Sequence, residues 1–308
     1  MAKGKVFQMK NTTVEGVNQP VRLFAGERWL VLTGLLGFVL AGLCAVWVML
    51  YGGPVPPEGD VAKAVSFDAA LGLFVLSTAA ISPLSGLSAK SRAWFRRSYI
   101  VLALYSYAAE TVQNFRGFNP RFTRIGSAFD HGVGFVFAFV ALLLVLFYLV
   151  FAASFFRRNA YRSRPELTLG IRYAMIGVLL SFAAGIWISV NQGRFVGLHG
   201  NIIWLHGLGF HALQTVPFVA WLAERAPLKP SVRRRFIHTA GIASLLGLVA
   251  VAGQTFLGLS VLEWSILPVA AGGCLLAALA TAVPLLRYAW VAAPGTVDAR
   301  LRKTYSPR

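Results

Sequence analysis

The chain has 308 residues, of which 57% are hydrophobic and 13% charged, a mean hydropathy of +0.65 and a formal charge of +18. A water-soluble domain of this size has too little interior to hide so much apolar side chain, which excludes a soluble globular protein and points to a membrane. Nucleic acid, the partner that such a charge first suggests, is excluded by where the charges lie.

In chain order, residues 1–28 predict a short, flexible cytoplasmic tail. Apolar runs of about 20 residues, each long enough to cross a bilayer as a helix, then recur at 29–51, 67–88, 98–115, 126–156, 170–190, 200–223, 236–258 and 262–286. The fourth is long enough to tilt or to project beyond the membrane. The Pro- and Gly-rich stretch 52–66 is the first outer loop, and 288–308 is a basic tail. The expectation is an all-α polytopic membrane protein of about eight spans, with one transmembrane domain over 29–287. The first span is too long for the core of a cleavable signal peptide. Cys44 and Cys274 fall within spans as packing residues.

Eight spans put both termini on one side, and 24 of the 29 Lys and Arg then lie on that side. They include Arg92, Arg96 and Arg97, Arg157 and Arg158, and Arg233 to Arg235; only Lys63, Arg116, Arg121, Arg124 and Arg194 fall opposite. By the positive-inside rule both termini are cytoplasmic. The partners expected are membrane lipids, with anionic headgroups at the basic loops, and other membrane subunits or further copies of the chain. Trp29, Trp221 and Trp290 near inner span ends and Trp47, Trp187, Trp204 and Trp264 near outer ends complete an aromatic belt.

The third span ends in Gln113-Asn-Phe115-Arg-Gly117 and the seventh in Gln254-Thr-Phe256-Leu-Gly258. Pro83 and Pro217 also look equivalent. Both observations suggest two parallel four-helix halves.

Ionisable side chains are expensive in hydrocarbon and mark functional sites. Glu110, Gln113 and Asn114 share a face of the third span through their i, i+3, i+4 spacing. His131 opens the fourth span beside Asp130, and the sixth carries His199, His206, His211 and Gln214; Gln254 lies in the seventh. On the predicted topology these belong to the outer half of the membrane. The five-residue step from His206 to His211 turns them about 140° apart, awkward for one shared metal ion. A b-type haem held by His131 with His206 or His211 suits two helices better. Gly132, Gly134, Gly207 and Gly209 would allow close approach, and Glu110 would orient a ligand or carry a proton. His131, His206 and His211 are thus the candidate metal or haem ligands, with Gln113, Arg116, Gln214 and Gln254 around them. Arg116, Arg121 and Arg124 form a basic outer rim that pairs with Glu110 and Asp130 or binds an anionic group. Asp68 and Glu263, at span ends, are expected to be solvated, and His238 to sit among headgroups.

Two strings resemble known motifs. Glu110-Thr-Val-Gln113-Asn-Phe-Arg116-Gly117 resembles Glu-x-x-Gln-x-x-Arg-Gly. His206-Gly-Leu-Gly-Phe-His211-Ala-Leu-Gln214-Thr-Val-Pro217 resembles His-x-x-x-x-His-Ala-Leu-Gln-x-x-Pro. Both are similar to those of a family of uncharacterised bacterial multi-pass membrane proteins, a resemblance that implies a membrane fold in the cytoplasmic membrane of a bacterium but no activity. The histidine common in that family after Arg-Gly is absent from Phe118–Phe122 here. More distantly, the layout resembles haem A synthase, with eight spans in two halves and histidines toward the outer side. Here the second and eighth spans lack histidine, so only one half is equipped for such a site.

Three functions follow as expectations: a haem- or metal-binding redox protein, a proton-coupled transporter, and an accessory subunit or sensor of a membrane complex.

Overall fold

The structure, a computed structural model, describes residues 21–291. It is an all-α membrane protein. The long helices are α1 (Arg28–Tyr51), α2 (Val61–Ile81), α3 (Ala89–Phe115), α4 (Ala128–Ser154), α6 (Pro165–Val190), α7 (Ile203–Arg225) and α8 (Pro230–Phe256). A short α5 (Arg158–Ser163) links α4 to α6, and the last membrane segment is broken into α9 (Ile266–Ala280) and α10 (Ala282–Val291). Six of these segments are long and apolar enough to cross a membrane by length and composition alone. α3 and α7 are not among the six, though they are as long; α3 carries charged residues and α7 carries His206, His211 and Gln214.

The chain rises and falls so that one end of the bundle carries two small hairpins and the other the basic loops. The first hairpin pairs β1 (Pro54–Val55) with β2 (Gly59–Asp60), and the second pairs β3 (Phe195–Val196) with β4 (Gly200–Asn201). Both are held alike. Glu58 and Gly59 N–H donate to Gly117 O at 2.8 and 2.9 Å, and His199 and Gly200 N–H donate to Gly258 O at 2.9 Å. Val61 N–H donates to Gly53 O as Ile202 N–H does to Arg194 O, both at 2.8 Å. Every one of these residues has its counterpart 141 positions later, as Glu58 has in His199 and Gly117 in Gly258. Helix packing repeats in step: α1 on α2 and α3 in one half, α6 on α7 and α8 in the other. The duplication read from Gln-x-Phe-x-Gly is therefore built into the backbone. The proline match is not part of it. Pro83 lies in a 3-10 turn after α2, whereas Pro217 is inside α7 and is counted from a different register.

The halves join through aromatic side chains. Phe74 of α2 packs against Phe210 of α7 (ring centroids 4.7 Å apart) and Tyr148 of α4 (4.8 Å), and Tyr148 against Phe182 of α6 (5.5 Å). Phe95 stacks on Phe151 at 4.4 Å. These rings fill the middle of the bundle and its basic half. Two ionic clasps close the basic end: Glu27, fully buried, with Arg92 and Arg96, and Arg164 with Glu224. The described part of the expected N-terminal tail, 21–28, is thus packed and not free; 1–20 and 292–308 lie outside the described residues.

Candidate functional site

α2 begins six residues before the predicted span, because the hairpin hands the chain directly to an N-cap at Asp60. That shift puts Asp68 two turns inside the helix, about 10 Å below its start. Asp68 is fully buried, contrary to the expectation that it would be solvated. One of its oxygens accepts the Thr111 hydroxyl at 2.8 Å; the other, Oδ1, is buried without a partner.

Glu110, on α3 beside it, is also fully buried. Its Oε1 accepts Arg121 Nη2 at 2.6 Å and Asn114 Nδ2 at 3.4 Å, while Oε2 is buried and unpartnered. The Tyr107 hydroxyl, one turn along α3, is a third buried polar group without a partner. Arg121 reaches this cluster from the α3–α4 loop. Its guanidinium lies between the rings of Phe67 and Phe137, 5.2 and 5.6 Å from their centroids, and its side chain is about one-third exposed. Two buried carboxylates therefore lie near each other, and one guanidinium, Arg121 on Glu110, is the ion-pair partner between them. Uncompensated charge is costly in a low-dielectric interior, so the arrangement is balanced when it also holds one proton or one small cation.

The other polar residues of the hairpin end are structural. Arg116 Nη1 donates to Gln113 Oε1 at 2.6 Å and Asp130 Oδ1 at 2.7 Å, and Gln113 Nε2 donates to the same carboxylate at 3.0 Å. Asp130 also closes a capping box with Ser127 at the start of α4. Gln254 does the equivalent work in the second half, donating to Ser260 O at 3.0 Å and accepting from Ser265 Oγ at 3.3 Å. Of the basic rim, Arg116 and Arg121 pair with Asp130 and Glu110, as read. Arg124 instead offers its backbone N–H to Glu58 Oε1 at 2.9 Å, beside the Thr123 hydroxyl on Oε2 at 2.6 Å. The Thr123 bond, helped by those from the loop backbone, holds the Glu58 carboxyl below its ordinary range.

The histidines occupy three different settings. His131 and His199 are exposed at the hairpin end, His199 at the turn of the second hairpin. His206 faces α6: its Nδ1 is 2.8 Å from Ser181 O, the Ser181 hydroxyl donates to His206 O, and Phe210 meets the ring edge-on at 4.8 Å. His211 is exposed, with Nδ1 3.2 Å from Gln214 Oε1; Gln214 Nε2 donates to Ser77 Oγ on α2 at 2.7 Å. The His-Ala-Leu-Gln string thus ties the two halves together. Of the four glycines read as clearance, Gly209 packs against Ser181 and Gly177 and Gly134 against Arg121 O, whereas Gly132 and Gly207 face open space. Among the described residues, no three His, Cys, Asp or Glu side chains gather as a metal centre would need. His131, His206 and His211 are not gathered into one such group. Glu263 is exposed, as read, and His238 is exposed in the first turns of α8.

The site that sequence reading half missed is thus Asp68, Tyr107, Glu110 and Arg121. No family model, curated protein or solved structure matches this chain.

Proposed function

We propose that the protein is a proton-coupled membrane carrier whose coupling site is Asp68 with Glu110, the latter paired with Arg121. The observation that carries this reading is the pair of fully buried carboxylates, each with one oxygen free, of which only Glu110 has an ion-pair partner among the described residues. Intramembrane carboxylates of this kind relay protons in pumps and transporters. The orientation follows from charge: the basic end faces the cytoplasm and the hairpin end the outside of a bacterial cytoplasmic membrane. Protons then enter past Arg121, the exposed edge of the site, and the aromatic packing around Phe74 and Tyr148 is the barrier that must part for release.

The test is proton flux into proteoliposomes carrying an internal pH dye, together with infrared detection of a protonated carboxyl. Wild-type protein is expected to show both, and Asp68→Asn with Glu110→Gln to lose both. Absence of flux and of the carboxyl band in wild type would sink the reading.

One observation favours a second reading, a b-type haem or other metal in a redox role. A ligating histidine characteristically has its second nitrogen bonded to a carbonyl, which fixes the ring. His206 has that arrangement through Ser181 O, leaving Nε2 as the coordinating atom. His206 with one further axial ligand would hold the group, which would supply electron transfer. The likeness to haem A synthase points the same way. An absorption spectrum of protein made with ample haem, oxidised and reduced, separates this reading from the first.

A further inference from the structure

The last membrane segment changes partner part-way down. α9 packs along α8, where Gly247 meets Leu275 and Ala271, but α10 packs against α7. The break has a local cause. Pro284 has no N–H to give the carbonyl of Ala280, and its ring crowds that carbonyl. The Thr281 hydroxyl instead turns back onto Ala278 O at 2.6 Å. The two helices therefore part toward the basic end, and a groove of about 510 Å³ opens between α8 and α9.

The groove is graded. Leu246, Cys274 and Ala277 line its apolar depth, and Arg235, His238 and Thr239 line its mouth at the basic end. From Arg235 to Leu246 the wall is about 16 Å of helix, close to the half-thickness of about 15 Å of a bilayer's hydrocarbon core. The length is that of one leaflet. His238 is held in place by the Tyr173 hydroxyl, 2.8 Å from Nδ1. Among the described residues Arg235 has no ion pair. The mouth thus carries positive charge that nothing in the described chain neutralises.

We propose that this groove binds an anionic phospholipid of the leaflet at the basic end, its phosphate on Arg235 beside His238 and one acyl chain along Leu246 and Cys274. Charge at the mouth selects the headgroup, and the parting of α8 from α10 makes room for the chain.

Native mass spectrometry tests this on the full-length protein equilibrated with an equal mixture of phosphatidylglycerol and phosphatidylcholine. Wild type is expected to retain phosphatidylglycerol in preference. Arg235→Gln should cut that preference about fivefold, the worth of one basic residue at a lipid surface. Ala277→Trp, at an exposed position in the groove, should abolish retention of the lipid while the thermal melting curve stays that of a folded protein. Arg235→Glu, which does not touch the apolar depth, provides the same test should the tryptophan variant fail to fold, and should reverse the preference. Equal retention of the two lipids by wild type, or undiminished retention by Ala277→Trp, would overturn the proposal. So would a dimer that dissociates in Ala277→Trp, because the groove would then belong to a second copy.

Discussion

Arg121 and Glu110 are eleven residues apart in the chain and 2.6 Å apart in the fold, the guanidinium of a loop residue reaching down to a carboxylate inside the bundle. Glu110 is fully buried, and Arg121 is the one ion-pair partner it has among the described residues. Removing one member of a buried pair strands the other, at a cost of about 3–5 kcal/mol. With Arg121 one-third exposed, the lower end applies. Arg121→Leu is expected to destabilise the detergent-solubilised protein by about 3 kcal/mol. Adding Glu110→Gln to that variant should restore part of the loss, since the stranded charge is then gone. Thermal unfolding of the two single variants and the double variant measures the coupling.

Asp68 and Glu110 should behave oppositely when neutralised. Asp68→Asn keeps the shape of the side chain and its acceptor for the Thr111 hydroxyl, and it removes the surplus negative charge. It is expected to be neutral or stabilising. Glu110→Gln deprives Arg121 of a charged partner and is expected to cost about 2 kcal/mol. Melting temperatures ranked Asp68→Asn at or above wild type, with Glu110→Gln below, would match the charge balance; the reverse ranking would place the surplus charge on Glu110.

The repeated hairpin clamp predicts unequal sensitivity at equivalent glycines. Gly117 has φ +84° and Gly258 has φ +71°, both in the left-handed region that side chains resist. A Cβ on Gly117 would lie 2.1 Å from Pro56 O, whereas one on Gly258 would lie 2.9 Å from Gly197 Cα. Both alanine variants are expected to lose at least about 1 kcal/mol, and Gly117→Ala more than Gly258→Ala. Thermal unfolding of the two in the same detergent checks the order.

The sequence showed the helices well and the site less well, for reasons that differ by residue. Hydropathy locates long apolar helices, and the Gln-x-Phe-x-Gly strings marked the duplication because Gly117 and Gly258, whose carbonyls each take two hairpin N–H groups, both adopt the left-handed backbone that favours glycine. Asp68 was misplaced because a hydropathy run begins after the charged Lys63, while the helix begins at Val61 behind a two-residue strand that no apolar pattern announces. The Asp60 cap, accepting the Ala62 N–H at 3.1 Å, was the available signal for that earlier start. Glu110 and Arg121 were each visible as unusual residues. Pairing of the arginine rim with Glu110 and Asp130 was one of two readings open in the sequence; which arginine takes which carboxylate depends on how the α3–α4 loop folds back, and local periodicity carries no information on that. The histidines drew attention as ionisable residues within spans; burial distinguishes His206 from the exposed His131 and His211 only once α6 is packed against α7.

Glu58 joins the first hairpin to the α3–α4 loop through Thr123 and the Arg124 N–H. Its carboxyl sits below the ordinary range in the folded protein, so the stabilisation it supplies is fully present above the unfolded value of about 4.3. It is lost as pH falls through the lower folded value. The difference in melting temperature between wild type and Glu58→Gln should be constant from neutral pH down to about 5, and should shrink on further acidification. A difference that grew with acidification would mean that the neutral carboxyl is the better partner.

Gln214 should matter to the union of the halves more than to either half alone. Its amide donates to Ser77 of α2 at 2.7 Å and accepts the approach of His211 Nδ1 at 3.2 Å, so one side chain spans the seam between the first and second repeats. Hydrogen bonds between membrane helices average about 0.6 kcal/mol, because the separated helices find other partners. Gln214→Leu is therefore expected to cost about 1 kcal/mol, combining the lost bond with a Ser77 hydroxyl that keeps its own bond to Leu73 O. Ser77→Ala should cost a similar amount, and the double variant little more than either single one, since both remove the same contact. His211→Ala should cost less, because His211 is exposed and meets Gln214 on its own helix. Unfolding in a detergent series reads these values directly. Additive losses in the double variant would show that Gln214 and Ser77 stabilise the bundle independently and that the seam is held by the aromatic packing of Phe74 and Phe210.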